Sequence, residues 1–257
     1  MKKLMIDLDG TMYHGTRMIE RGNEFLKMLD QKGIEYLFLT NNASRTSKQA
    51  AEHMQHMGYL SVQPEMFYTS AMAAADEVKR ISDKRRAFMI GEKGLEDALL
   101  HAGFELVEEN ADFVFVGLDR HADYHRYSLA LRQLKKGAVL VGTNDDVILL
   151  SEEGVNVGNG TIVRMLEICS GQTSMKIGKP SSVILEGALK YTGWKKEEVL
   201  IVGDNLETDI LCGIHGQTET ALVLSGISTA EDIERLNIHP DIVVNELSDL
   251  FQFLQEK

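Results

Sequence analysis

Cysteine, long apolar runs and positive charge are what this 257-residue sequence has least of. Its two cysteines, Cys169 and Cys212, show no C-x-x-C spacing. Neither a disulfide framework nor a cysteine metal site is expected, and both thiols read as reduced. No stretch approaches the roughly 18 apolar residues of a membrane-spanning helix. Lys2 and Lys3 precede only Leu4-Met5-Ile6 before Asp7 interrupts the run, too short for the apolar segment of a secretory signal. A cytoplasmic location is expected. Lys and Arg number 27 against 39 Asp and Glu, a formal net charge of -12. Nucleic-acid backbones and anionic bilayers are bound chiefly through basic patches, so neither is an expected partner. A small anionic substrate stays open, because a metal ion or one lysine reverses the field inside a cleft.

What is present is an ordinary globular balance, 44% hydrophobic and 26% charged, enough to bury a sizeable core. Short apolar runs at 4–8, 36–39, 199–202, 221–224 and 242–244 read as strands, with amphipathic helices over 19–32 and 46–57. The middle repeats this rhythm on a smaller scale: strands at 87–90, 113–116 and 139–141, helices near 94–102 and 124–135. Strands separated by helices predict right-handed crossovers and a parallel sheet covered on both faces. The fold class is therefore α/β, a doubly wound parallel-sheet core with an inserted smaller α/β domain. The charged stretch 82–86 marks the entry to the insert, placed at 80–175, with 1–79 and 176–257 forming the main domain.

The sharpest chemical signal is Asp7-Leu8-Asp9-Gly10-Thr11, directly after the first strand. Open parallel sheets receive ligands at the carboxyl ends of their strands, and residues two apart in an extended segment face the same way. Gly10 lets the chain turn tightly there. An acidic surface turn is the plain alternative, but buried strand ends avoid carboxylates without a reason to hold them. A second acidic group, Asp204 and Asp209, follows the strand at 199–202. Like charges 4 Å apart repel by roughly 4 kcal/mol at an effective dielectric of 20, so carboxylates gathered at one sheet edge call for a cation. An oxygen-only donor set suits Mg2+. Thr40-Asn41-Asn42 ends another strand with groups suited to phosphate oxygens, and Lys179 in Gly178-Lys179-Pro180 supplies a cation. Alone, Asn-Asn reads as a common turn and a single lysine as a surface group.

In this order, acidic pair, Thr-Asn-Asn, Lys-Pro and Gly-Asp…Asp, the segments resemble the four motifs of the haloacid dehalogenase superfamily. The inserted block resembles the cap of its NagD-like, p-nitrophenylphosphatase-type subgroup, and Val116–Arg120 and Gly142–Asp145 are similar to segments common there. The resemblance implies Mg2+-dependent hydrolysis of a small phosphate monoester (sugar phosphate, nucleotide or p-nitrophenyl type) through an aspartyl phosphate. It makes Asp7 the nucleophile and Asp9 the acid and base; Asp9 also argues against a dehalogenase, whose halide needs no proton. It gives the metal to Asp7, the Asp9 carbonyl and Asp204, with Asp209 orienting a metal-bound water or Lys179. Thr40, Asn41, Asn42 and Lys179 would hold phosphate. Arg45, Asp119, Thr143, Asn144 and Asp145 would select the ester, and a homodimer through the cap is allowed for. Segment 151–159 lacks the proline expected over the substrate, which leaves the ester's identity open.

Two other functions compete. A phosphotransferase or mutase of the same superfamily fits Asp9 equally. A non-catalytic phospho-acceptor module also uses Asp, Mg2+, Thr and Lys, but at about half this length and without Asp9. His121 and His125 have a zinc-like spacing but lack further ligands, and Gly158-Asn159-Gly160 reads as a turn because position 163 is Val rather than the third glycine of a dinucleotide loop.

Overall fold

Aliphatic runs bounded by Gly, Asn or Asp become buried strands in the computed structural model, which describes residues 2–151 and 154–254. Two compact units are distinguished: Met1–Thr40, Ala50–Tyr68 and Lys179–Lys257 make the first, Asn41–Gln49 and Thr69–Gly178 the second. The insert expected at 80–175 falls within the second.

In the first unit, the described residues form a six-stranded sheet. Its order is Ile242–Val244, Glu219–Val223, Val199–Gly203, Lys3–Ile6, Tyr36–Thr40, Phe67–Thr69. Lys3–Ile6 runs parallel to both its neighbours, with Ile6 opposite Val202 on one side and Phe38 on the other. The chain moves outward from this central strand one way and later returns to its other side. Strand order thus reverses between Lys3–Ile6 and Val199–Gly203, where doubly wound sheets open a crevice at their carboxyl ends. Leu4, Ile6, Phe25, Leu26, Leu29, Phe38, Met54, Leu200 and Val202 form the core beneath it, each such burial contributing about 1.5–3 kcal/mol.

The expected helix 19–32 begins only at Gly22. A short antiparallel hairpin, Tyr13–His14 with Arg17–Met18, takes up the preceding residues, and Arg21 sits in the left-handed region at φ 58. The helix stops at Gly33, whose positive φ lets its N–H reach the carbonyls of Leu29 and Asp30.

In the second unit, the described residues form a five-stranded parallel sheet in the order Met175–Lys176, Val139–Gly142, Phe113–Val116, Arg86–Ile90, Glu105–Leu106. Phe88, Ile90, Val114, Val116, Leu134, Leu140, Val163 and Leu166 fill its core. An antiparallel hairpin pairs Ile148–Ser151 with Gly154–Val157. Residues 152 and 153, part of the segment 151–159 that lacks the expected proline, lie outside the described residues. Among the described residues no helix is long and apolar enough to cross a membrane.

Candidate active site

Asp7 and Asp204 each lie just beyond one of the two strands flanking the reversal, and the Asp7 N–H bonds the Val202 carbonyl at 2.8 Å. Carboxylate oxygens of Asp7, Asp204 and Asp209 all lie within 4.8 Å of one another. Lys179 enters the same group. Its ammonium donates to Asp7 Oδ1 at 2.5 Å, to Asp209 Oδ1 at 2.6 Å and to the Leu39 carbonyl at 2.9 Å. Its side chain is only 3% exposed, so the ammonium is held among these acceptors away from bulk water.

Three carboxylates against one ammonium leave two formal negative charges. The acids respond as electrostatics requires. Burial, then Asp209 and Asp204, push the Asp7 carboxyl well above the usual carboxylate range, against the pull of Lys179. Burial and Asp209 push Asp204 up to about 6, although the Ile227 N–H, the Thr11 hydroxyl and Lys179 oppose the rise. Burial works against the Lys179 charge, but Asp209 and Asp7 outweigh it and its pKa goes up. Lys179 stays charged.

Asp204 sits in a socket of backbone. Thr11 Oγ1 donates to its Oδ1 at 2.9 Å and the Ile227 N–H to its Oδ2 at 2.8 Å. A Cβ at Gly10 (φ +91) or at Gly226 would strike this carboxylate, so two glycines from distant parts of the chain make room for it. Asp209 takes the Asn205 N–H at 3.2 Å. It lies in a π-helical turn, Leu206–Ile210, rather than in the first turn of an α-helix, which begins at Leu211. Such widened turns recur at functional sites.

The other expected residues fall elsewhere. Asp9 is exposed and forms a backbone bridge with Tyr13 at the root of the hairpin, outside the carboxylate group. Thr40 ends its strand 4% exposed. Asn41 and Asn42 belong with the second unit. The Asn42 side-chain carbonyl accepts from the Ser44 N–H and hydroxyl, both at 2.9 Å, and from the Arg45 N–H at 3.3 Å, which makes it a turn former. Arg45 is half-buried. Asp119 caps the His121 N–H at 2.9 Å, and His121 stands before the helix Tyr124–Lys135, not on it. Thr143 and Asn144 are buried. Asp145 is exposed and pairs with Lys176 at 2.7 Å. Sequence reasoning overlooked Thr11, the Leu39 carbonyl, the Ile227 N–H and Gly226. Thr11 alone had a visible signal, its place in Asp7-Leu8-Asp9-Gly10-Thr11.

Residues 4–105 match the family model for haloacid dehalogenase-like hydrolases, and 176–250 match a second, HAD-hydrolase-like model. The chain is 36% identical over 253 residues to the 5'-nucleotidase YutF of Bacillus subtilis, covering 98% of each. It is 36% identical over 256 residues to the acid sugar phosphatase of Staphylococcus aureus, covering 99% of this chain and 98% of that one. The structure of NagD from E. coli K-12 superposes with a TM-score of 0.89 at 34% identity, covering 97% and 98%. The chain belongs to the haloacid dehalogenase-like hydrolases, as one of their NagD-like phosphatases.

Proposed function

We propose that this phosphatase hydrolyses a small phosphate monoester with Mg2+ through an aspartyl phosphate on Asp7. The convergence of Asp7, Asp204 and Asp209 on Lys179 at the reversal of strand order supports this reading most strongly. The donor set fits the metal: oxygen ligands only, a formal excess of two negative charges, and carboxyls pushed upward by burial and by one another. Asp7, the Asp9 carbonyl and Asp204 would hold it, with Asp209 orienting Lys179. When bound, Mg2+ offsets charge on the nucleophile and on the phosphate.

Asp7 attacks phosphorus and the ester P–O bond breaks. Asp9, exposed beside the hairpin, gives its proton to the departing oxygen. Water then attacks the acyl phosphate, Asp9 takes its proton, and Asp7 is released with inorganic phosphate. Thr40, the Asn41 N–H and Lys179 hold the equatorial oxygens as charge develops. The insert selects the ester, with Arg45 and Asp119 the half-exposed candidates of those expected; Thr143 and Asn144 are buried in their own loop.

The metal assignment is tested by chelation. EDTA is expected to remove activity and Mg2+ to restore it, with Ca2+ a poor substitute because of its larger, looser shell. Stability carries the same signature. A carboxyl whose folded pKa lies above its unfolded one favours the fold below the unfolded value and loses that contribution as pH rises through the folded one. For Asp204 the window runs from about 4 to about 6, and for Asp7 it also extends upward. Metal-free protein therefore loses stability over this rise, and Mg2+, binding the ionised acids, returns it. The Mg2+-induced rise in Tm should be larger at about pH 8 than at about pH 4.5. Full activity in EDTA, or a Tm indifferent to Mg2+ at the higher pH, would sink the assignment.

A further inference from the structure

The second unit has its own reversal of strand order, between Arg86–Ile90 and Phe113–Val116, the place where such sheets receive a ligand. Here the chain's own segment 41–45 lies against it. The Gly94 N–H, at the start of the helix Lys93–Ala102, bonds the Ser44 carbonyl at 2.9 Å. A Cβ at Gly94 would collide with the carbonyls of Ala43 and Arg45.

Asn41 is gripped at both of its polar ends. Its carbonyl accepts from Ser70 Oγ at 2.6 Å and from Asn144 Nδ2 at 2.8 Å. Its side-chain Nδ2 donates to Asp146, at 3.2 Å to Oδ2 and 3.4 Å to Oδ1. An ionised carboxylate accepts only, so Asp146 settles which end of the Asn41 amide faces it. Asp146 is fixed in turn, its carbonyl taking the Gly160 N–H at 2.9 Å. Asn159, 3% exposed, donates to Val116, Thr143 and Asn144 at 3.1–3.3 Å and so ties the two strand ends together.

We infer that Asp146, through Asn41, is a positioning residue for the phosphate-holding turn that follows Thr40. This rests on the proposed role of Thr40 and Asn41 and goes beyond it. A residue of the insert then governs the phosphate end, common to every ester, rather than the choice among esters. The neighbouring Asp145, paired with Lys176, has no such part.

Steady-state kinetics with Mg2+ on p-nitrophenyl phosphate, a sugar phosphate and a nucleoside monophosphate would test it, using Asp146→Ala, Asp146→Asn, Asn41→Ala and the double alanine variant. Loss of a charge-assisted hydrogen bond should lower kcat/KM by about tenfold or more in Asp146→Ala. The factor should be the same for all three esters, and inhibition by inorganic phosphate should weaken in parallel. The double variant should fall no further than the worse single one, and Asp146→Asn, which keeps an acceptor oxygen, should lose less than Asp146→Ala. Losses that differ among the esters by more than about threefold would put Asp146 at the leaving group instead. Additive losses in the double variant, or a lowered Tm with unchanged kcat/KM, would also overturn the inference. If Asn41→Ala leaves kcat/KM and phosphate inhibition unchanged, the role of Asn41 fails with it. The chemistry at Asp7 would be untouched by that result, being tested separately by Asp7→Asn.

Discussion

Asp7→Asn is expected to lower kcat by more than about a hundredfold while leaving the fold intact, since loss of a covalent nucleophile ordinarily costs far more than that. The amide matches the carboxylate in shape but is a weak nucleophile and a weak ligand for a hard cation. Stability should move the other way. The Asp7 carboxyl is held well above its usual range by burial and by Asp209 and Asp204, so its ionised form strains the metal-free protein. Lys179 keeps Asp209 and the Leu39 carbonyl as partners when Asp7 is neutralised. Metal-free Tm near neutral pH should therefore be no lower in the variant than in the wild type, and the Mg2+-induced rise should shrink. A variant retaining more than about a hundredth of wild-type kcat would rule out covalent catalysis by Asp7.

Lys179→Met should be damaging in both respects. Methionine fills the channel of the stem but leaves Asp7, Asp204 and Asp209 with no cation among them. Removing one partner of a buried ion pair costs about 3–5 kcal/mol, because the remaining charge stays desolvated. The sign of its pH dependence follows from the acids. Without the ammonium, which lowers both Asp7 and Asp204, their folded pKa values rise further. The stability lost as pH climbs then grows, and the window of loss extends upward. The Tm deficit of the metal-free variant should widen between about pH 5 and about pH 8. Mg2+ should recover much of the Tm but not kcat, given the role proposed for the lysine at the phosphate oxygens. A deficit independent of pH would show that Lys179 matters through packing alone.

The parts of the fold legible in sequence were those where an apolar run ends on a turn-forming residue. Val199–Gly203 and Tyr36–Thr40 end at Gly-Asp and Thr-Asn-Asn, and the helix Tyr124–Lys135 begins where Asp123 caps the Arg126 N–H at 2.8 Å. Two-residue strands such as Tyr13–His14 and Arg17–Met18 leave no such period, and Phe67–Thr69 is only three residues long. Both escaped. The helix Ser182–Thr192 also went unassigned, although Ser181 caps it with its side chain. At the site, side-chain chemistry announced Asp7, Asp204, Asp209 and Lys179. The Leu39 carbonyl and the Ile227 N–H could not be read, because every residue carries those groups and only the path of the chain aims them. The contact of Asp146 with Asn41 was hidden for a related reason: successive side chains in an extended turn face opposite ways, and no pattern at 143–146 says which one faces Asn41.

The central pairing of the first unit sets an order on how the protein is made. Lys3–Ile6 has one parallel partner early, in Tyr36–Thr40, but gains its second only when Val199–Val202 exists, and Thr11 reaches Asp204 across 193 residues of sequence. The sheet of the second unit is complete in one stretch, from Arg86 to Lys176. Contacts that are distant in sequence form late, because their loop closure must be met before they stabilise anything. On the ribosome the insert is therefore expected to become protected first, with the carboxylates of Asp7, Asp204 and Asp209 meeting only as the last quarter of the chain emerges. Pulse-labelled hydrogen exchange on stalled nascent chains would reveal the order, and protection of the Asp7 N–H, which bonds the Val202 carbonyl, before residue 202 has left the ribosome would contradict it.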